Sequence, residues 1–376
     1  MTAPRILLAA GGTGGHMFPA EALARALLAR GLRVDLATDE RGGGFGDRLP
    51  QVKVHRIASG GVAGKGLPAR LRNFVRLGLG FMQSRGLLRS LKPAVVVGFG
   101  GYPSIPPLSA AQRGGIPTLL HEQNAVMGRA NRFLAKRAAR LALSFEQVQF
   151  ADSVQAARRT LTGNPVRPEI SAIAEAQYHA PSAGEKVRLF VMGGSLGARV
   201  FGKAVPEAVA LLPQEVRNRL AIAQQARAED LGQAEADYRA LGLEVELRPF
   251  FEDVPQRLRQ AHLLVTRAGA STLAELTAAG RPAVLVPLPN SIDDHQMANA
   301  RALTGAGGGW LLPESALSPS ALAKILEEVL ADPARLEAAA AAAKSLGKRD
   351  AADRLADLVI GLLSEDVRAA LQGGTH

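Results

Sequence analysis

His16 ends the glycine turn Gly11-Gly12-Thr13-Gly14-Gly15-His16, where a polar side chain would look into a cleft. An imidazole with its ordinary pKa of about 6.5 can take a proton from a sugar hydroxyl at neutral pH, so His16 is a candidate general base. The plainer alternative is a structural histidine. Far along the chain, Thr266-Arg267-Ala268-Gly269-Ala270-Ser271-Thr272-Leu273-Ala274-Glu275-Leu276 reads as a strand end followed by a helix starting near Ser271-Thr272. Ser271 fits an N-cap, and amides and hydroxyls at such a start can hold a diphosphate. Glu275, about one turn further, can accept two hydrogen bonds from a ribose diol, as acidic residues do in dinucleotide folds. Read plainly, Ser271 is an ordinary cap and Glu275 a first-turn carboxylate matching the helix dipole. Asp293-Asp294-His295-Gln296 is a third polar cluster, either a grip on vicinal sugar hydroxyls or the acidic start of a helix.

The familiar nucleotide and metal signatures are missing. Neither glycine turn has the G-x-G-x-x-G spacing, and Gly64-Lys65 and Gly202-Lys203 lack the Ser or Thr that a P-loop needs. Both facts weigh against a dehydrogenase or a kinase. There is no D-x-D or H-E-x-x-H, so a tightly held catalytic metal is not expected. The chain has no cysteine, which excludes disulfides, thiolate metal sites and cysteine nucleophiles and fits a cytosolic protein. With 376 residues, 47% hydrophobic and 21% charged, it has the make-up of an ordinary globular protein with room for two cores. No apolar run approaches the roughly 20 residues of a membrane helix. A net charge of +11 favours polyanions, phosphate-bearing small molecules or an anionic membrane surface as partners.

The elements that would position these residues alternate. Ile6-Leu7-Leu8-Ala9-Ala10 is a buried parallel strand that runs into the first glycine turn, and a helix follows from Pro19. Strands are read at Val34-Asp35-Leu36-Ala37, Val52-Lys53-Val54-His55-Arg56-Ile57, Ala94-Val95-Val96-Val97 and Thr118-Leu119-Leu120-His121. A second strand–turn–helix unit begins at Val187 and runs through Gly193-Gly194-Ser195-Leu196-Gly197-Ala198. Further strands are read at 220–223, 245–247, 263–266 and 283–286, and residues 320–363 are helical, with a frayed tail after 364. This is an α/β chain of two doubly wound, Rossmann-like halves facing a cleft, with ligands at the carboxyl ends of the strands. The boundary is read in Thr162-Gly163-Asn164-Pro165-Val166-Arg167-Pro168. Residues 60–93 hold seven Lys and Arg and no acidic residue, interleaved with Leu71, Phe74, Val75, Phe81 and other apolar side chains. They suit either an anionic bilayer surface or a core helix with a solvated basic face.

Taken together and in order, the two glycine turns, Gly100-Gly101-Tyr102, His121-Glu122-Gln123-Asn124, Gly163-Asn164-Pro165-Val166-Arg167, the 267–275 stretch and His295-Gln296-Met297-Ala298-Asn299-Ala300 resemble the MurG family. These enzymes are bacterial undecaprenyl-diphospho-muramoylpentapeptide β-N-acetylglucosaminyltransferases. The resemblance runs from Arg5 to about Leu363. It implies a GT-B fold, with residues 1–163 on the acceptor and membrane side, 164–345 binding the UDP-sugar, and 346–376 a helix returning to the first domain plus a tail. It implies inverting transfer of N-acetylglucosamine from UDP-N-acetylglucosamine to the 4-hydroxyl of lipid I, giving lipid II for the cell wall, without a protein-held metal or a cofactor. Thr13, Gly14 and Gly15 would lie beside the donor sugar and phosphates, with Asn124 on the sugar and His16 as the catalytic candidate. Arg167 and Ser195 would hold the nucleotide, and Phe251 would meet uracil through its backbone. Ala270, Ser271, Thr272, Leu273, Ala274 and Glu275 would take the diphosphate and ribose, and Gln296 the sugar hydroxyls. Arg70, Leu71, Arg72, Phe74, Val75, Arg76 and Phe81 fall where the family docks on its membrane. That implies a peripheral protein on the cytoplasmic face, with no nucleic-acid partner and other cell-wall proteins as candidate partners.

Two details depart from the family's usual pattern: Met127 stands where proline is common, and Ser104-Ile105-Pro106-Pro107 varies a glycine-richer acceptor loop. The rival readings are a UDP-N-acetylglucosamine 2-epimerase, a transferase acting on another glycolipid, and a non-enzymatic basic adaptor.

Overall fold

The apolar runs pair side by side, always in parallel, as two separate sheets. This computed structural model describes residues 3–12, 14–40, 45–60, 67–173, 175–194 and 197–373. The chain divides into two units, Met1–Arg167 with Asp350–His376, and Pro168–Arg349.

In the first unit the strands are β1 (Arg5–Ala9), β2 (Arg33–Thr38), β3 (Lys53–Arg56), β4 (Val95–Gly98), β5 (Thr118–Glu122), β6 (Arg140–Leu143) and β7 (Arg159–Leu161), in the order β3-β2-β1-β4-β5-β6-β7. A parallel sheet is covered on both faces, so its central strands carry no alternation: every residue of β4 and β5 is buried. Leu23 and Leu27 of helix Gly14–Ala29 cover one face together with Leu355, Ala356 and Val359 of helix Ala351–Ile360. Leu88, Leu108 and Leu134, from helices Leu67–Leu91, Ile105–Arg113 and Arg129–Ala135, cover the other.

Two local expectations are corrected here. The first helix begins at Gly14, not at Pro19, so His16 lies inside its first turn. Proline favours the first helical position, which made Pro19 look like a start. The tail after residue 364 is not frayed: Glu365–Gly373 is helical, and Val367 and Leu371, four residues apart on one face, pack on the core.

The second unit holds β8 (Val187–Met192), β9 (Leu220–Gln225), β10 (Glu246–Arg248), β11 (Leu263–Thr266), β12 (Ala283–Leu285) and β13 (Gly309–Leu311), in the order β10-β9-β8-β11-β12-β13. The alanine-rich C-terminal stretch is helical, as read, in three pieces: Pro319–Leu330, Pro333–Leu346 and, in the first unit, Ala351–Ile360. Ser318 accepts the Ala321 N–H and Asp332 the Arg335 N–H, each just before a proline, so Pro319–Leu330 and Pro333–Leu346 have capped starts. In both sheets the strand order reverses beside the first strand, between β1 and β4 and between β8 and β11. Ligands of open α/β sheets bind in the crevice outside the carboxyl ends at that switch point.

Candidate active site

At the first switch point Gly12 has a positive φ of 88°, and the helix follows from Gly14. Thr13 lies outside the described residues. Across the switch, Gly100 and Gly101 turn with φ of 85° and 72°, a conformation glycine adopts without penalty. A Cβ on Gly101 would stand in ordinary contact with His16 Nε2, at 3.5 Å, so this edge of the imidazole lies against the Gly101 turn. Ser104 Oγ pins this turn to β1, sharing its hydrogen between Ala9 O at 2.9 Å and Gly100 O at 2.6 Å.

At the carboxyl end of β5 and just past it the chain is polar yet buried. His121, Glu122 and Gln123 are all within 2% of full burial. Burial lowers the His121 pKa to about 4 against a weaker upward pull from its hydrogen bond to Gly163, so the ring is neutral at physiological pH. Burial also raises the Glu122 carboxyl, and four hydrogen bonds oppose this: Oε1 accepts from Asn124 N and Nδ2, Oε2 from Gly128 N and Asn131 Nδ2. Asn124 is thereby held half-exposed at the strand end. His16 Nδ1 meets Gln123 Oε1 at 3.2 Å, which joins the two loops. Arg167 stacks its guanidinium 5.6 Å from the Phe18 ring, at the other end of the same helical turn. Met127 is fully buried and donates its N–H to Gln149 O at 3.1 Å, a bond that proline could not make.

In the second unit Ser195 lies outside the described residues. The helix after β11 is Ala270–Ala278, and its N-cap is Gly269, which makes no side-chain cap bond. Ser271 is therefore a first-turn residue and not the cap, and Glu275 belongs to the second turn, where it is buried. The positive end of the helix dipole has no carboxylate in its first turn and suits an anion such as a diphosphate. Gln296 stands at the start of helix His295–Gly305, and its Oε1 accepts from Ala268 N at 3.2 Å and Leu288 N at 3.0 Å. Asn299 Nδ2 donates to Ala268 O at 3.1 Å, so side chains of one helix grip both ends of that residue. Leu273 and Ala270 face the core, while Ser271, Thr272 and Ala274 are half-exposed. The Phe251 ring is buried edge-on to Phe190 at 5.4 Å, which leaves its backbone for any ligand. Arg267 is structural: it bonds to Val286 O, pairs with Glu314 and stacks on Phe201.

Helix Leu67–Leu91 has two faces. Gly80, Ser84 and Leu88 are buried, and Gly80 runs so close to the Ala58 carbonyl that a Cβ would overlap it. Outward stand Phe74 at 75% exposure, Val75, Leu79 and Met82, with Arg72 and Arg76 exposed beside them. Phe81 departs from its expected company: it is half-buried against the core, with the Arg113 guanidinium 5.0 Å from its ring. The side chains of Arg70 and Leu71 lie outside the described residues. No helix among the described residues is long and apolar enough to cross a membrane.

Within the first unit, then, the structure brings His16, Gly15, Asn124 and Arg167 to neighbouring turns; within the second it brings the 268–275 segment to Gln296. Sequence reasoning quoted Glu122, Gln123 and Asn299 within motifs but gave none of them a role. The signal was present in His121-Glu122-Gln123-Asn124, a polar run directly after an apolar buried strand.

Comparison with known proteins follows the same division. Residues 6–143 match the glycosyltransferase family 28 N-terminal domain and residues 188–355 its C-terminal domain. A Rhodospirillum centenum protein named UDP-N-acetylglucosamine--N-acetylmuramyl-(pentapeptide) pyrophosphoryl-undecaprenol N-acetylglucosamine transferase is 56% identical over 96% of this chain and 95% of its own. A Brucella suis protein of the same name is 50% identical over 96% and 94%. Among solved structures, Acinetobacter baumannii MurG superposes with a TM-score of 0.77 at 28% identity, covering 95% of this chain and 99% of that one. UDP-GlcNAc 2-epimerase from Neisseria meningitidis, at 12% identity and a TM-score of 0.67 over 95% and 100% of the two chains, shares the fold alone.

Proposed function

The chain belongs to glycosyltransferase family 28, and from that premise we infer that it transfers N-acetylglucosamine from UDP-N-acetylglucosamine to lipid I, N-acetylmuramoyl-pentapeptide diphospho-undecaprenol, giving lipid II. Its two parallel α/β units are those of the two-domain GT-B fold. The observation that carries the reading is identity of 56% across nearly the full length of a relative named for this reaction.

The chemistry is a displacement at the anomeric carbon with inversion. The muramoyl 4-hydroxyl oxygen forms the new bond to C1 as the bond from C1 to the UDP oxygen breaks, and the hydroxyl proton passes to His16 Nε2. The start of helix Ala270–Ala278 stabilises the departing diphosphate, Glu275 holds the ribose diol, and Gln296 reads the sugar hydroxyls. Thr13, Gly14, Gly15 and Asn124 line the donor sugar, and Arg167, Ser195 and the Phe251 backbone hold the nucleotide. Residues 1–163 take the acceptor and lend these turns to the donor sugar, while residues 164–345, Arg167 among them, hold most of the sugar nucleotide. Exposed apolar side chains beside arginines on helix Leu67–Leu91 support a peripheral dock on the anionic cytoplasmic face of the membrane.

The test is UDP release from UDP-N-acetylglucosamine with and without a soluble lipid I analogue, in EDTA. Acceptor-dependent release is expected. Interconversion of the sugar nucleotide without acceptor would replace the transferase with an epimerase, and normal turnover by a folded His16→Ala variant would remove His16 as the base.

A further inference from the structure

Resting on the reading of His16 as the base, we propose that Gln123 and His121 are positioning residues that fix its tautomer: they hold the hydrogen on Nδ1 and so leave the lone pair on Nε2.

The assignment follows from which atoms can donate. His121 Nε2 lies 3.0 Å from Gly163 O. A carbonyl only accepts, so Nε2 carries the hydrogen and Nδ1 of the neutral ring carries the lone pair. Ser144 Oγ, 3.4 Å from the same Nε2, gives its own hydrogen to Glu122 O at 2.8 Å and so is a second acceptor there, not a rival donor. The lone pair on His121 Nδ1 faces Gln123 Nε2 at 3.0 Å, and the amide's other hydrogen goes to His121 O at 3.1 Å. Turning the amide over would set its oxygen against these two acceptors. Its oxygen therefore points the other way, to His16 Nδ1 at 3.2 Å, and an amide oxygen can bind only a protonated nitrogen.

One fixed carbonyl thus sets the direction of every hydrogen along the row from Gly163 through His121 and Gln123 to His16. Burial of His121 and Gln123 keeps water from substituting for either. The neutral state of His121 keeps its Nδ1 an acceptor throughout the physiological range. Nε2 of His16 is then the nitrogen that receives the acceptor's proton, on the ring edge facing the Gly101 backbone. When the proton arrives, the charge is shared through Nδ1–H with the amide oxygen. Because that oxygen is neutral, the imidazolium is steadied without being held so tightly that the base stays protonated.

Two measurements on the full chain test this. The first is the ring-nitrogen NMR spectrum of the wild-type protein above the His16 titration, where the Nδ1–H form is expected. A wild-type Nε2–H form would overturn the proposal without any variant. The second compares Gln123→Leu with Gln123→Glu. Gln123→Leu should shift His16 towards the Nε2–H form and lower kcat by up to the worth of a general base, ~10²–10⁴-fold, with little change in KM for UDP-N-acetylglucosamine. Gln123→Glu keeps an acceptor for Nδ1–H, so it should retain the tautomer and move the acid limb of kcat to higher pH. An inactive His16→Ala together with wild-type kcat and tautomer in Gln123→Leu would sink the row while leaving His16 as the base. Normal turnover in His16→Ala would sink the base assignment itself.

Discussion

The side-chain oxygen of Gln296 accepts the backbone N–H of Ala268 at 3.2 Å, tying the start of helix His295–Gly305 to the loop that opens helix Ala270–Ala278. The same oxygen accepts Leu288 N–H, so the amide is oriented before any ligand arrives, with its nitrogen end left for an acceptor atom. Gln296→Glu keeps oxygens for both backbone groups and should melt close to wild type. Having lost its N–H donors and gained a charge beside the proposed diphosphate cradle, it should bind UDP-N-acetylglucosamine at least about tenfold more weakly. Gln296→Ala removes the tie as well and should cost about 1–2 kcal/mol of stability. Calorimetric titration and thermal melting separate the two effects, and wild-type affinity in Gln296→Glu would show that the amide nitrogen does not meet the sugar.

Glu122 offers a sharper stability test, because all four groups around its carboxylate are donors. Gln at this position must turn an NH2 against one pair of them. Glu122→Gln should therefore destabilise the first unit by about 1–3 kcal/mol and loosen the Asn124 loop, despite its near-identical shape. A melting temperature equal to wild type would mean that the carboxyl is protonated in the folded protein and already presents a donor.

The His121 pKa, lowered from 6.5 to about 4, makes stability depend on pH. Between those values the unfolded chain binds a proton at this residue and the folded chain does not, so stability rises with pH across that window. The contribution is complete above about 6.5 and falls as the solution is acidified, the loss reaching on the order of 3 kcal/mol by pH 4. Denaturant melts of wild type and His121→Asn between pH 7 and 4 should show a steeper acid loss in wild type. Parallel curves would place the titration elsewhere.

How much of this was legible in the chain differs by residue. Most strands showed because parallel strands buried on both faces are continuous apolar runs, and the glycine turns marked some of their carboxyl ends, whereas the short β6, β7 and β13 were not read. Helix starts were harder. Pro19 resembles a first helical residue and Ser271 a cap, yet the helices begin at Gly14 and, behind a glycine cap, at Ala270. In both places glycine gives a turn its shape without announcing a helix. The hydrogen-bond row could not be seen at all from sequence, since His16 and Gln123 stand 107 residues apart and meet only because β4 carries β5 past the first turn. Within helix Leu67–Leu91, composition grouped Phe81 with Phe74 and Val75, but its position on the turn faces it to the core.

That last distinction gives a membrane test with an internal control. Val75, Leu79 and Met82 recur at the four- and three-residue steps of one helical face, and Leu79 and Met82 are 54% and 61% exposed. Burying side chains of this size in a lipid interface is worth up to about 1.5–3 kcal/mol each, so Leu79→Ser with Met82→Ser should weaken binding to anionic vesicles at least tenfold. Because both side chains already face solvent, the fold should change by no more than about 0.5 kcal/mol. Phe81→Ser should do the reverse, since it removes half-buried packing and the Arg113 stack: a lower melting temperature, with vesicle binding retained by the folded fraction. The arginines beside the stripe add attraction that salt screens, so co-sedimentation should also fall as ionic strength rises. Vesicle binding that is unchanged in the Leu79 and Met82 variant would take this face of the helix away from the membrane and leave its exposed apolar side chains to some other partner.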